Sequence, residues 1–291
     1  MAPSFQVSLV FMAQCFRFGW RRCSPLNWAL AIYEDKMNTV DVMREYNEFE
    51  RKLIHSFNGV KESDSNLTKF VSKDRHGSYI SFFDFDESLA ESIVKEQLAY
   101  FSQRKLCFEW KTYSTDKPSN IGSVLLANGF EQEDTESFMV LDLSKTDNEF
   151  FDESQITEVF DSQGIRDAIK VQEQVWGGDF DWQYNYLMSL KEQSPDSLSI
   201  YVVYVNGQPV TSAWLTFNGN SPFAGIWGGS TIKEFRGNGY YSLLLNKRIA
   251  EAKSKGVKYL IIDASDISKP IVSKRGFEVV ATTTGYTSPN S

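Results

Sequence analysis

Thr231-Ile-Lys-Glu-Phe-Arg-Gly-Asn-Gly-Tyr-Tyr241 joins an apolar run to a helical one, and the fold turns on how this junction is read. Upstream, residues 223–232 are apolar and carry glycines, as a buried strand does. Downstream, Tyr241, Leu244, Leu245, Ile249 and Ala252 recur at helical spacing on one face, and Gly256 stands where a C-cap belongs. The first N–H groups of such a helix have no intrahelical partner and the helix dipole is positive there, so an anion can settle on them. Gly237 and Gly239 have no Cβ to hold a phosphate off the backbone, and Arg236 adds a charged fork. The same residues also suit an ordinary strand–helix turn, and the surroundings have to decide between the two.

Those surroundings repeat a known order. A strand at residues 259–263 is followed by a short helix ending in Lys274-Arg-Gly-Phe277. Residues 223–277 thereby resemble the acyl-CoA-binding core of the GNAT N-acetyltransferase superfamily. Its loop reads Arg/Gln-x-x-Gly-x-Gly/Ala, with Gly-Phe opening a later strand. Arg236, Gly239 and Tyr241 fall on the three pattern positions, although a small residue is usual where Tyr241 stands. The resemblance implies that Arg236, Gly237, Asn238 and Gly239, with Tyr240 and Tyr241 opening the helix, cradle the CoA pyrophosphate. It also implies that two strands splay apart, and that pantetheine pairs with backbone groups around Gly229, Ser230, Thr231 and Ile232. The thioester then lies near Trp227 and Asp263.

Bulk properties suit a soluble enzyme. The 291 residues are enough for two domains of about 100–150 residues each. A net charge of −8 argues against nucleic acid or an anionic membrane as the main partner. Three cysteines, Cys15, Cys23 and Cys107, make no disulfide framework and point to a reducing, cytoplasmic compartment. No apolar run approaches the roughly 20 residues that span a bilayer.

Residues 1–36 read differently, with Arg17, Trp20, Arg21, Arg22 and Trp28 in no sustained period. Residues 7–13 are a short apolar run, but the basic residues follow it instead of preceding it, which a signal peptide does not do. The expectation is a poorly structured, nonessential extension from an overlong translation start, with the folded protein beginning at Met37. Its deletion should leave solubility and melting temperature nearly unchanged.

From Met37 one order of elements occurs twice. In the second half, helices are expected at 165–176 and 182–192, and strands at 198–205, 210–217 and 223–232. Asn206-Gly207 and Asn218-Gly219-Asn220 mark the hairpin turns. A helix at 240–255 crosses over to a parallel strand at 259–263, and a short helix and a strand at 278–284 close the unit. The first half echoes the later part: strand 78–84, a helix with Ala90, Ile93, Val94, Gln97, Leu98 and Phe101 on one stripe, strand 106–113, helix 121–127 and strand 138–143. Gly129-Phe130 matches Gly276-Phe277. The expected class is α+β, two tandem GNAT-like domains, each a mixed, mostly antiparallel sheet flanked by helices. The boundaries are 37–143, a linker at 144–154, and 155–291. Where the second copy has Arg236-Gly-Asn-Gly239, the first has Asp84-Phe-Asp-Glu87, whose carboxylates repel a pyrophosphate; the first domain reads as a degenerate structural partner.

Direct transfer of an acetyl group from acetyl-CoA to an amine is what the resemblance implies, with no metal and no covalent enzyme intermediate. The amine must be neutral to attack, so a base or water chain is needed, and a backbone amide can hold the oxyanion. Many relatives protonate the departing thiolate with a tyrosine four residues before the Gly-Phe glycine; that position is Val272 here. Tyr241 and Asp263 are the candidate catalytic groups, with a packing aromatic and a turn carboxylate as the alternatives. Ser265 and Ser268 read as caps. Neither His55 nor His76 is near the loop in sequence, and Cys107 lacks ligand-spaced companions, so histidine catalysis and a zinc site are not expected. Trp176-Gly-Gly-Asp-Phe-Asp-Trp182 occupies the loop that contacts acceptors in the family. Trp176 and Trp182 with Asp179 and Asp181 could hold a cationic amine, or the loop is only a glycine-bent helical hairpin whose tryptophans pack inward. On the cationic reading, Asp179→Asn weakens acceptor binding and spares acetyl-CoA. A non-catalytic acyl-CoA-binding or interaction protein, and thiol or hydroxyl acylation, are the competing functions. The chain is expected as a monomer or homodimer.

Overall fold

The computed structural model describes residues 37–54, 56–147 and 150–289; the extension expected at 1–36 and His55 lie outside them. Helix α1 (Thr39–Tyr46), capped by the Asn38 side chain on the Asp41 amide, runs into a π turn at Asn47–Arg51. Then come β1 (Gly59–Ser63), β2 (Leu67–Ser72), β3 (Ser78–Phe83), α2 (Ala90–Gln103), β4 (Phe108–Tyr113), α3 (Ile121–Ala127), the two-residue β5 (Glu131–Gln132) and β6 (Glu136–Asp142). The second half has β7 (Ile156–Val159), α4 (Ser162–Trp176), α5 (Asp181–Gln193), β8 (Leu198–Val205), β9 (Gln208–Phe217), β10 (Phe223–Thr231), α6 (Tyr240–Ser254), β11 (Tyr259–Ala264), α7 (Lys269–Ser273) and β12 (Glu278–Thr287).

The expected α+β class holds: the sheet is mixed, mostly antiparallel and flanked by helices. Only β3–β4 and β10–β11 pair in parallel, each across a helical crossover. Five elements escaped the sequence reading: α1, β1, β2, β5 and β7. The first three complete the first half's echo of the second. They are short, and β1 is polar and mostly exposed, so no period marks it.

Each half was expected to close its own sheet, and the strand pairing differs. All twelve strands of the described residues join one sheet, in the order β1-β2-β3-β4-β12-β6-β11-β10-β9-β8-β7, with β5 beside β12. The closing strands are exchanged. β6 pairs with β11 along Asp142↔Tyr259 to Ser137↔Ala264, and β12 crosses to β4 along Thr283↔Tyr113 to Thr287↔Glu109. Their composition suits this: Phe138, Met139, Val140 and Leu141 of β6 are all buried, which requires cover on both faces and both edges.

The helices sit on opposite faces of the second half's strands. Ile200 and Val202 of β8 pack with Ile165, Ala168, Ile169 and Leu187 of α4 and α5, while Tyr201 and Val203 pack with Leu244 of α6. This is the period-two alternation of a strand covered on both sides. Asp161 caps α4 on the Gly164 amide, and Gly177, at φ +74°, ends it.

Candidate functional site

The parallel ladder between β10 and β11 is short. It joins Phe223, Ala224 and Gly225 to Tyr259, Leu260 and Ile261 and then stops, so beyond Gly225 the edge of β10 that faces β11 has no strand partner. On its other edge β10 bulges against β9 between Trp227 and Ser230, with Gly228 at φ +58°. The Trp214 ring packs on that bulge so closely that a Cβ on Gly228 would stand 1.9 Å from it. The bulge is fixed from α4: Gln172 Nε2 donates to the Gly228 carbonyl at 2.8 Å and Ser230 Oγ donates to Gln172 Oε1 at 3.0 Å.

The loop after β10 keeps its helix N-terminus open. Gly237 and Gly239 have φ of +82° and +83°, and nothing lies within 4 Å of where their Cβ atoms would be. Gly239 is the N-cap of α6 and supplies no side-chain acceptor to the first-turn amides. Exposed Arg236 donates from Nε to the Thr231 carbonyl at 3.0 Å, and Asn238 Nδ2 donates to the Phe235 carbonyl at 3.0 Å, which shapes the turn from within. Tyr240 packs toward Tyr201 and Leu244, and Tyr241 toward Leu245 and Ile226. Thr231 Oγ1 accepts from Thr211 Oγ1, and Ile232 is buried.

Where β10 and β11 part, a cavity of about 880 Å³ opens. Gly229, Ser230, Trp227, Tyr241 and Asp263 line it, with Trp176 and Trp182 from α4 and α5. Trp176 Nε1 donates to Ser230 Oγ at 3.1 Å and Trp227 Nε1 to Thr216 Oγ1 at 2.9 Å, so both indoles are held in place. Asp179 is not in the lining. Its Oδ1 accepts from the Asp181 amide at 2.6 Å, the turn-carboxylate role. Glu173, Asp179 and Asp181 bring carboxylate oxygens within 4.8 Å of one another, with Arg166 already paired to Asp181 at 2.7 Å and Glu173 at 3.7 Å. Val272, at the position of the family tyrosine, is fully buried. Ser265 and Ser268 line the cavity; Ser265 Oγ accepts from the Ser268 amide at 3.4 Å in the turn into α7, while Ser268, at the N-cap position, makes no side-chain cap bond.

The opposite wall comes from the first half, which sequence reasoning did not assign by residue. Lys111 of β4 pairs with Asp263 at 2.5 Å through Oδ2, while Asp263 Oδ1 is buried with no partner. Burial pulls the Lys111 ammonium down, but Asp263, Tyr46 and Glu109 outweigh it and hold its pKa above the usual lysine value. Tyr46 and Tyr113 share a hydroxyl contact of 3.1 Å at the cavity wall, and burial raises both phenols. Arg51 makes a buried two-pronged pair with Asp116, at 2.6 and 2.8 Å. Glu50 accepts from Asn218 and Ser221 of the β9–β10 turn. Burial pushes its carboxyl up to about 7, against the pull of those two hydrogen bonds. Burial also raises Glu136. The long-range pairs Lys111–Asp263 and Glu50–Asn218 join residues far apart in sequence, and no spacing could have announced them.

The segment that carries this loop matches a described family. Residues 165–277 match the acetyltransferase (GNAT) family, so the chain carries a GNAT domain. Among solved structures, similar folds include a GCN5-related N-acetyltransferase from Kribbella flavida, at TM-score 0.62 and 14% identity over 87% of this chain and 96% of that one. A functionally unknown conserved protein from Staphylococcus epidermidis aligns at 0.58 and 15%, over 84% and 99%. A tandem GNAT protein from the clavulanic acid biosynthesis pathway aligns at 0.52 and 11%, over 77% and 78%. At such identities the likeness is one of fold. No curated protein matches the sequence. No helix among the described residues is long and apolar enough to cross a membrane.

Proposed function

We propose that the GNAT domain binds acetyl-CoA between β10 and β11 and passes the acetyl group directly to an amine held in the cavity. The observation that carries this reading is the early end of the β10–β11 ladder, beside a helix N-terminus without side-chain caps and opening onto a cavity of about 880 Å³. The pyrophosphate would take the amides of residues 237–241, where the helix dipole and the absent Cβ atoms favour an anion. Pantetheine would use the unpartnered edge of β10 at residues 229–232. The first half, with its own carboxylates where the second has the loop glycines, is by the same reading a structural copy without a cofactor site.

In the transfer itself, the amine nitrogen attacks the thioester carbonyl carbon. The tetrahedral intermediate collapses by breaking the C–S bond, the amine loses one proton, and the CoA thiolate gains one. Asp263 was a candidate base, but its carboxylate is already paired with Lys111. Its free Oδ1 instead suits accepting a hydrogen bond from the incoming amine and orienting it. Five phenols line the cavity, Tyr46, Tyr79, Tyr113, Tyr186 and Tyr241, and Tyr241, beside Gly229 of β10, is the one best placed to act as proton donor. Trp176, Trp182 and Trp227 offer ring faces to an acceptor cation. The reaction as written requires no metal, and a cytoplasmic site of action fits the three cysteines without a disulfide framework.

Buried Val272 favours one competing reading, a protein that binds acyl-CoA without turning it over. Calorimetric titration of acetyl-CoA into the full chain, beside Gly239→Glu, tests the site. One-to-one binding lost in the variant supports it, and no binding by the wild type removes it. Release of free thiol with a panel of amines then separates transferase from binder.

A further inference from the structure

Helix α6 carries a buried charge that the transfer reaction leaves unused. Arg248 lies seven residues beyond Tyr241, on the same helix face, and is only 1% exposed. Its Nε donates to the Leu244 carbonyl at 3.1 Å, a bond within the helix. Its Nη1 reaches the Trp227 carbonyl at 3.4 Å, and its Nη2 is buried with no hydrogen-bond partner. Both hydrogen bonds go to main-chain carbonyls, and no carboxylate of the described residues pairs with this guanidinium. A buried cation without a counter-charge strongly destabilises a fold, and an aliphatic side chain could fill the same volume without that cost. Burial pulls the Arg248 pKa down, and the Tyr241 phenol, by its charge and as a loose hydrogen-bonding neighbour of the guanidinium, works against it.

Its place explains why such a group is kept. Arg248, Tyr241, Gly228, Gly229 and Ile262 together line the cavity where β10 and β11 part. Gly229 admits the Tyr241 ring: a Cβ there would stand 2.9 Å from it. The weakly held Nη1 and the unpartnered Nη2 are the two groups that a carboxylate engages through parallel N–H···O bonds. The other cations of the wall are already matched, Lys111 to Asp263 and Arg51 to Asp116.

We propose that Arg248 is the counter-charge for a carboxylate on the ligand that fills the gap between β10 and β11. The carboxylate has two possible carriers: the far end of a dicarboxylic acyl group on CoA, or an amino-acid acceptor. The proposal rests on the acyl-transfer reading above. Tyr241, packed beside the guanidinium, shifts aside as the carboxylate docks.

Titration of CoA, acetyl-CoA and succinyl-CoA into the full chain, its Arg248→Met variant and its Arg248→Lys variant tests the first carrier. Amino acids and their decarboxylated amines, titrated in the presence of CoA, test the second. In one arm the wild type should prefer the carboxylate-bearing ligand by at least about tenfold. Arg248→Met should reduce that preference to within about twofold while CoA affinity stays unchanged. Arg248→Lys, which keeps the charge without the fork, should lose about fivefold and serves where the Met variant does not fold. A wild type that binds CoA but prefers the carboxylate in neither arm overturns the proposal, as does a preference that survives both variants. A wild type that binds no CoA brings down the acyl-transfer reading and this one with it.

Discussion

Two junctions in this chain share a backbone plan and differ in what their side chains do. After β3 and after β10 the chain leaves a parallel ladder of three residue pairs, makes a 3-10 turn and starts a helix. In the first half the 3-10 turn runs straight into α2, and Asp86 caps that turn. Its Oδ1 accepts from the Ser88 amide at 2.9 Å and the Ser88 hydroxyl at 2.6 Å, and these bonds hold its carboxyl below the usual range. In the second half the corresponding turn is capped by Ile232, the glycine loop separates it from α6, and α6 starts at Gly239; neither residue supplies a side-chain acceptor. The strands part differently as well. Asp84 bridges to Lys117 and closes the first gap again, and Phe83 and Trp110 fill its interior, whereas the second gap opens into the cavity. One plan thus gives a scaffold where the chain answers its own donors, and a site where it leaves them open.

The sharpest test of that contrast exchanges the charges. Gly239→Glu should lower acetyl-CoA affinity by at least about 100-fold in calorimetry, because it adds a carboxylate at the positive end of α6 and strains a φ of +83°. Asp86→Gly should leave that affinity within about twofold, and an equal loss would mean that the two junctions do not differ in function. Lys111→Met comes next. It leaves Asp263 buried without its partner, and turnover should fall about 10–100-fold with acetyl-CoA affinity nearly unchanged. A loss of both in parallel would make the pair structural only.

Glu50 ties the π turn after α1 to the β9–β10 turn, and its folded pKa of about 7 stands above the ordinary carboxylate value. Its protonated form is therefore favoured by folding. Its contribution is fully present below about pH 4.5 and is lost as pH rises through about 7. Glu50→Gln should flatten that dependence and raise stability at pH 8 by roughly 1–3 kcal/mol in denaturant melts, with no difference at pH 4. A wild-type profile as flat as the variant's would show that Glu50 is not held neutral. The smallest effect belongs to Asp179→Asn. With Asp179 outside the cavity lining, kcat and KM should move less than about twofold, and a large rise in acceptor KM would return that loop to the site.

Legibility in the sequence followed the range of the forces at work. Asn206-Gly207, the helical stripe from Tyr241 to Ala252 and the positive-φ glycines of the loop are local matters of backbone sterics and period. They predicted β8, β9, β10 and α6 to within a few residues. The same local logic separated Arg236-Gly-Asn-Gly239 from Asp84-Phe-Asp-Glu87. Continuous apolar runs such as 138–141 announce burial but not a partner. The exchange of β6 and β12 between the halves is decided by which edges remain open once both halves meet. The cavity wall is likewise tertiary. Lys111 reaches Asp263, Glu50 reaches Asn218, and Arg248 stays without a counter-charge. Each outcome depends on distances of a few ångströms between elements up to 168 residues apart, and electrostatics in a buried site is set by those distances. By itself the sequence determined the elements, the glycine-shaped loop and the family resemblance that reads it as an anion site. The tertiary structure decided which strands close the sheet and which charged groups face the cavity.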